Sequence, residues 1–177
     1  AASDVYKRQV LMGDSNAAMY GCALKVIAEE LRIKLHVLGV PAGDPLPDSE
    51  LYQDSLFFLD HEKPEITILV GAWAGRTESD VLKRLETALS QILGRSQHII
   101  LITQPPVLPE YASREGIRKF GRRPIFEDLG VAKLRKERNE FLLSQRGERV
   151  HVLDIESLFV EASGEIRFTD ARGRQLF

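Results

Sequence analysis

Short apolar segments that alternate with segments of helical character restrict the fold of this 177-residue chain. Two of them, ITILVG (residues 66–71) and HIILIT (98–103), are rich in β-branched residues and apolar almost throughout. Uniformly apolar strands are typical of a parallel sheet covered on both faces, whereas half-exposed antiparallel strands alternate. Three further strands are predicted at residues 10–12, 35–40 and 149–155.

The segments between these strands carry the periodicity of amphipathic helices, over residues 16–32, 49–59, 77–94 and 128–146. Alternation of strand and helix implies right-handed crossovers and a sheet between two helical layers. The sequence therefore predicts an α/β fold: a three-layer α/β/α sandwich around a five-stranded parallel, flavodoxin-like sheet. In such sheets, ligands bind at the carboxyl ends of the strands.

Local patterns predict where the helices begin and which faces they bury. In the first helix, apolar residues recur at i, i+3, i+4 and i+7: Leu24, Ile27, Ala28 and Leu31. Thr77 and Asp80 have the spacing of a helix start, and the residues that follow predict one apolar face. In the last helix, KLRKERNEF places opposite charges four residues apart, which predicts an exposed face.

Composition excludes several classes of function. A net charge of -2 gives no electrostatic reason to expect a nucleic-acid partner. The single cysteine, Cys22, excludes an internal disulfide framework and a cysteine-based zinc cluster. No apolar stretch approaches the ~20 residues of a membrane span. Glycine-rich phosphate loops and metal-ligand spacings are missing, so no cofactor and no metal are expected.

The two ends of the chain differ in character from the rest. Residues 1–9, AASDVYKRQ, are polar and aperiodic and lack an initiator methionine, so we expect a non-native leader. At the other end the chain stops within FTDARGRQLF, without a closing helix. Residues 10–177 are therefore expected to form a single domain that is truncated at its C terminus.

The stretch VLMGDSNAAMYG places Ser15 directly after the first strand and at the start of the first helix. Gly13 permits a tight turn, and the amides and positive dipole end of a helix N terminus stabilise an anion. A nucleophilic serine suits this place because its attack on an ester creates an oxyanion. Asp14, Ser15 and Asn16 are also good N-cap residues, so the tripeptide alone fits a purely structural corner.

Three segments, in order along the chain, resemble the sequence blocks of the SGNH/GDSL hydrolases. GDS resembles the first block, whose serine is the nucleophile, and VPAGDPLP follows the second strand, where the family places an oxyanion glycine. ILVGAWAG follows the third strand, but Trp73 and Ala74 replace the asparagine and aspartate of the third block, G-x-N-D. The resemblance implies Ser15 as nucleophile and Gly43, Gly71 and Trp73 as oxyanion or substrate-binding residues.

The small-apolar run that ends in Trp73, together with AGDPLP and VHVLDIESLF, is similar to the SGNH domains fused to acyltransferase-3 membrane proteins. These proteins modify cell-envelope polysaccharides. The resemblance implies an esterase or O-acyltransferase of acyl, above all acetyl, esters. It also implies an acyl-sugar or polysaccharide substrate, a fused acyltransferase-3 membrane domain and an extracytoplasmic location.

Two alternatives stay open at this point. One is a stand-alone SGNH esterase, secreted or cytoplasmic. The other is a non-catalytic, flavodoxin-like module that binds a glycan or a partner protein and in which Ser15 is inert; loss of the third-block asparagine favours it.

A serine nucleophile needs a general base, and the four histidines are expected too far from Ser15 to supply it. His36, His98 and His151 lie at or near the starts of strands, and His61 precedes the third strand. All four are thus predicted at or near the amino edge of the sheet. A strand of five or six residues spans about 17–20 Å, whereas a hydrogen bond reaches about 3 Å.

In the family, the base belongs to a D-x-x-H block near the C terminus. Asp170 is the nearest carboxylate to that position, but Arg172 and Gly173 stand where the block needs a histidine. The resemblance therefore implies that the catalytic His and Asp follow Phe177, and that these 177 residues alone are inactive.

A basic cluster lies in the long loop after the fourth strand and comprises Arg118, Lys119, Arg122 and Arg123. It fits a solvated loop, and its place at the carboxyl edge also fits contact with an anionic glycan or a partner domain.

Overall fold

Five parallel strands form the central sheet of the computed structural model, which describes residues 7–112, 124–167 and 172. Their order in the sheet is β2-β1-β3-β4-β5. In chain order they are β1 (Arg8–Gly13), β2 (Lys34–Gly39), β3 (Ile66–Val70), β4 (His98–Ile102) and β5 (Val150–Leu153). This topology confirms the predicted five-stranded, flavodoxin-like sheet.

Helices cover both faces of the sheet. They are α1 (Ser15–Glu30), α2 (Glu50–Glu62), α3 (Val81–Leu93), α4 (Leu129–Ser144) and the short α5 (Glu156–Phe159). One core cluster packs α2, α3 and Leu142 of α4 against one sheet face, and a second packs α1 and Phe159 of α5 against the other. This arrangement confirms the three layers of the predicted α/β/α sandwich.

Most strand ends differ from the predicted bounds by one or two residues. β1 begins at Arg8, where it pairs with Lys34 of β2, so two residues of the expected leader belong to the sheet. β5 is shorter than predicted and ends at Leu153, because Asp154 turns away to bond Thr103 and the amide of Glu156. The division into a leader and a domain stays a prediction.

The predicted apolar face of α1 is confirmed only in part: Ala28 is buried and Leu24 packs against the second core cluster. Its buried residues are small, namely Ala17, Gly21 and Ala28, whereas Ile27 is 48% and Leu31 63% exposed. The reason is the close approach of the helix to β2: a Cβ on Gly21 would lie 3.0 Å from Val37 Cγ1. The close approach to β2 therefore favours small residues on the face that α1 turns to the sheet.

Helix α3 begins later than the pattern of Thr77 and Asp80 predicts. Its first residue is Val81, and the side chain of the N-cap residue Asp80 makes no capping hydrogen bond. The predicted apolar face is confirmed, since Val81, Leu85, Ala88, Leu89 and Ile92 are buried.

The charged segment of α4 has both an exposed and a buried face, so the prediction of an exposed face is confirmed only in part: Lys133, Lys136, Glu137 and Glu140 are exposed. Arg135 and Arg138 are 2% and 6% exposed. The oppositely charged partners of Arg135 lie outside the helix: Glu127 in the preceding loop and Glu156 in α5. Helical i, i+4 spacing therefore misses the pairs that allow this face to be buried.

No helix within the described residues combines the length and the apolar character that crossing a bilayer requires. The basic cluster at 118–123 and the residues Asp170 and Gly173 lie outside the described residues.

Candidate active site

Ser15 lies at the carboxyl edge of the sheet, as predicted. Gly13 ends β1, in register with Gly39 of β2 and Val70 of β3, and Ser15 is the first residue of α1. Asp14 is the N-cap: its Oδ1 accepts a hydrogen bond from the Asn16 amide at 2.9 Å. Because Asp14 caps the helix, the exposed Ser15 side chain is not needed for that purpose.

Gly13 is required because the chain passes very close to β3. A Cβ at this position would lie 1.9 Å from the carbonyl oxygen of Val70, a backbone atom that no side-chain rotation can move. The corner that presents Ser15 therefore depends on the absence of a side chain at Gly13.

We expect Gly13→Ala to lower the free energy of unfolding by about 3 kcal/mol or more, since the added methyl forces β1 and β3 apart. Gly75→Ala is the matched control, because a Cβ at this exposed loop glycine meets nothing within 4 Å. The control should change stability by about 0.5 kcal/mol or less. Urea denaturation of both variants measures the difference, and equal stabilities would contradict the packing argument.

Gly43 closes a turn after β2. Its N–H donates to the carbonyl of Val40 at 2.9 Å, and Ala42 within the turn has φ of 60°, in the left-handed region. A Cβ on Gly43 would lie 2.4 Å from Leu51 Cδ2. The amide predicted to hold an oxyanion is thus engaged in the turn, and its catalytic role stays a prediction.

Trp73 follows β3 in a 3₁₀ turn, Trp73–Gly75, and is completely buried in the larger core cluster. Its ring lies against Gly71, where a Cβ would meet Trp73 Cη2 at 2.8 Å. The indole N–H has no hydrogen-bond partner among the described residues. Trp73 and Gly71 therefore shape the loop together, and their contact with an oxyanion or substrate remains a prediction.

A chain of charges connects the loops that follow β1, β2 and β3. Asp14, which is 4% exposed, accepts hydrogen bonds at Oδ2 from the Ala72 amide at 2.7 Å and from Arg76 Nη2 at 3.1 Å. Arg76 Nη2 is also 3.4 Å from the Gly43 carbonyl, and Nη1 is 3.3 Å from Asp44 Oδ1. The side chain of Arg84 in α3 binds Asp44 Oδ2 at 2.6 Å and forms no hydrogen bond with the described residues of the other two loops.

A second polar cluster fixes the loop after β4. Asn139 of α4 binds both backbone groups of Gln104 at 2.9 Å and donates to Glu156 Oε2 at 2.8 Å. The side chain of Gln104 in turn accepts a hydrogen bond from the Ala74 amide at 2.7 Å. Helix α4 thereby holds the loop after β4, and that loop holds the turn after β3.

Arg135 carries the charge of this second cluster. Burial opposes its positive charge, but hydrogen bonds and attraction from Glu127 and Glu156 outweigh burial and raise the pKa of Arg135. Burial likewise opposes the charge of Glu156, yet hydrogen bonds from Arg135 and Asn139 lower its pKa. Both groups are therefore charged at neutral pH.

The four histidines lie toward the amino edge of the sheet, whereas Ser15 lies at the carboxyl edge, as predicted. His36 is level with Val10, three residues before the end of β1, which corresponds to about 10 Å along the strand. His98 is the first residue of β4, and His151 lies beside it at 3.4 Å between ring nitrogens. His61 lies in the last turn of α2. The expected base beyond Phe177 stays a prediction.

The sequence profile described as "SGNH domain (fused to AT3 domains)" matches residues 2–177. The chain belongs to this family. No curated protein matches the chain.

One solved structure agrees with this SGNH domain in fold. The periplasmic domain of a lipopolysaccharide acetyltransferase from Salmonella ser. Paratyphi A superposes with a TM-score of 0.64 at 14% identity, covering 97% of this chain and 74% of that one. Two catalytic mutants of Axe2, an acetylxylan esterase from Geobacillus stearothermophilus, have TM-scores of 0.45 and 0.47 at 13% and 14% identity. The alignments cover 85% and 96% of this chain and 77% and 86% of the esterase chains.

The SGNH domain brings the segments that contain Ser15, Gly43 and Gly71 to one edge of its sheet. Sequence reasoning missed Arg76, which connects those segments. One signal was available: Asp14 directly follows an apolar strand, and a carboxylate buried there requires a cation or several donors. Arg76 is the first cationic residue after the third strand.

Proposed function

We propose that this SGNH domain handles acyl esters, above all acetyl esters, of cell-envelope polysaccharide, with Ser15 as the nucleophile. The observation that carries the proposal is the position of Ser15, which is exposed at the first residue of α1 while Asp14 caps the helix. Membership of the SGNH family and the fold support acyl-ester chemistry at a coarser level.

In this mechanism, Ser15 Oγ attacks the acyl carbonyl carbon, and a general base takes the hydroxyl proton. The carbonyl oxygen becomes an oxyanion beside the positive N-terminal end of α1, where the Ser15 N–H has no helical carbonyl to bind. Collapse of this intermediate expels the alkoxide, which takes up the proton, and leaves an acyl-serine. Water or a sugar hydroxyl then accepts the acyl group.

The remaining parts of the mechanism extend the proposal to other residues. The Gly43 amide joins the oxyanion donors when its hydrogen bond to Val40 is released. The base is a histidine held by an aspartate in a D-x-x-H block that follows Phe177. Gly71 and Trp73 support the loop after β3 against the site.

The setting is proposed from the comparisons. The family comprises SGNH domains fused to AT3 domains, and one structural neighbour is a periplasmic domain of a lipopolysaccharide acetyltransferase. We therefore propose an extracytoplasmic domain that acts on a polysaccharide acceptor beside an acyltransferase-3 membrane domain.

A second candidate is a non-catalytic module that binds a glycan or partner protein. It is favoured by the replacement of the third-block asparagine with a buried Trp73 and by the engagement of the Gly43 amide. In that case Ser15 is an inert surface residue.

Covalent labelling separates the two candidates. The protein expressed from its complete gene is treated with a fluorophosphonate, which phosphonylates only an activated serine, and the adduct is mapped by mass spectrometry. We expect stoichiometric modification of Ser15 and none of Ser163, which is also exposed. The complete gene should also encode D-x-x-H after Phe177. No adduct on Ser15 would support the non-catalytic candidate.

A further inference from the structure

We propose that Arg76 is the positioning residue of this site: its guanidinium holds the loop before Ser15 and the loop at Gly43 in one fixed arrangement. The inference rests on the proposed function of Ser15. It assigns to Arg76 a role in the loop after β3, where Trp73 replaces the third-block asparagine.

Arg76 lies in the loop after β3, and its guanidinium contacts the loops after β1 and β2. Nη2 lies 3.1 Å from Asp14 Oδ2 and 3.4 Å from the Gly43 carbonyl, while Nη1 lies 3.3 Å from Asp44 Oδ1. A planar guanidinium presents several donors in fixed directions, whereas the ammonium of lysine is a single compact charge. One arginine side chain can therefore fix two loops relative to each other.

Burial shows that these contacts are not a solvated surface pair. The side chains of Asp14 and Arg76 are 5% and 15% exposed. Arg76 Nε is buried without a hydrogen-bond partner among the described residues, at a cost in free energy. The guanidinium also lies 6.0 Å from the centroid of the Trp73 ring. The side chain is thus held where its two Nη groups contact both loops, although Nε then makes no hydrogen bond to the described residues.

The link to Ser15 passes through Asp14. Its Oδ2 binds Arg76 and the Ala72 amide, and its Oδ1 caps the Asn16 amide in the first turn of α1. Rotation of this carboxylate would therefore shift the turn that begins with Ser15. A displacement of about 1 Å at a reacting group is enough to cost about a hundredfold in rate.

The test uses the protein expressed from its complete gene, with p-nitrophenyl acetate as substrate. We expect Arg76→Gln to lower kcat about 30- to 100-fold with KM changed less than about threefold, because orientation rather than binding is lost. Arg84→Gln is the matched control: it removes contacts to Asp44 and Pro47 on the same loop and touches neither Asp14 nor Gly43. Its kcat should stay within about threefold of the parent.

Two further measurements distinguish positioning from a general loss of structure. Millimolar guanidinium should restore part of the kcat of Arg76→Ala and leave Arg84→Gln unchanged. Hydrogen exchange at the Asn16 and Ala72 amides should accelerate in Arg76→Gln but not in Arg84→Gln. If Arg76→Gln does not fold, Arg76→Lys keeps the charge and the aliphatic stem, and the same comparisons apply.

The outcomes separate this inference from the proposed function. Equal loss of kcat in the Arg76 and Arg84 variants, or full activity of Arg76→Gln, would overturn the positioning role while Ser15-dependent turnover persists. Turnover that survives Ser15→Ala would overturn the proposed function, and the inference with it.

Discussion

Replacing Ser15 with alanine is expected to lower kcat for p-nitrophenyl acetate by about 10³- to 10⁶-fold in the protein expressed from its complete gene. In the proposed mechanism the Ser15 hydroxyl oxygen forms the acyl-enzyme, and the alanine side chain has no atom that can replace it. The helix keeps its cap, because Asp14 supplies the side-chain acceptor. Stability should therefore change by about 0.5 kcal/mol or less, as for other surface substitutions.

Ser163→Ala controls for the loss of an exposed hydroxyl elsewhere on the surface. Its turnover should equal that of the parent, and thermal unfolding of both variants should superpose on the parent curve. Unchanged turnover in Ser15→Ala would contradict its assignment as nucleophile. A parallel loss of turnover and folded protein would contradict the assignment of the helix cap to Asp14.

The architecture was predictable because it follows from residues close together in sequence. β3 and β4 are short, β-branched and buried, so their composition alone distinguishes them from the helices between them. The apolar face of α3 was predictable for the same reason, since it packs against the core over its whole length. The start of α3 was not, because the carboxylate of Asp80 makes no capping bond.

The parts of the α1 and α4 faces that differ from prediction depend on residues far away in sequence. α1 buries small residues because β2 approaches it closely at Val37, a distance that no helical periodicity encodes. The buried face of α4 depends on Glu127 and on Glu156, which follows β5. Charge patterns within one helix therefore cannot distinguish a solvated face from a buried ionic one.

The candidate site also contains some features that local sequence predicts and others that only the folded structure shows. The position of Ser15 at the carboxyl edge of the sheet was predictable because the strand end, the turn glycine and the helix start are adjacent in sequence. Arg76 was not, because its role appears only when the loops after β1, β2 and β3 meet at one edge of the sheet. The hydrogen bond of the Gly43 amide to Val40 also needed coordinates, since it depends on the left-handed conformation of Ala42.

Arg135→Met is expected to lower the free energy of unfolding by about 3–5 kcal/mol at neutral pH. Arg135 binds Glu127 through Nε and Nη2, at 2.9 and 2.8 Å, and Nη1 lies 2.7 Å from Glu156. Methionine fills much of the space but leaves two carboxylates without their cation. The side chains of Glu127 and Glu156 are only 5% and 22% exposed, so water compensates poorly for the lost cation.

Arg167→Met is the matched control, because Arg167 also binds a glutamate, Glu161, at 2.7 Å, but with both side chains exposed. Solvent screens that pair, so its removal should leave the melting temperature close to that of the parent.

The pH dependence of stability gives a second check. Since Arg135 lowers the pKa of Glu156 in the folded state, its contribution is complete above the unfolded pKa of about 4.3 and disappears as acid protonates the carboxylate. The loss of unfolding free energy in Arg135→Met should therefore become smaller below about pH 4. A loss that is constant with pH, or equal to that of Arg167→Met, would show that Arg135 stabilises the fold by packing alone.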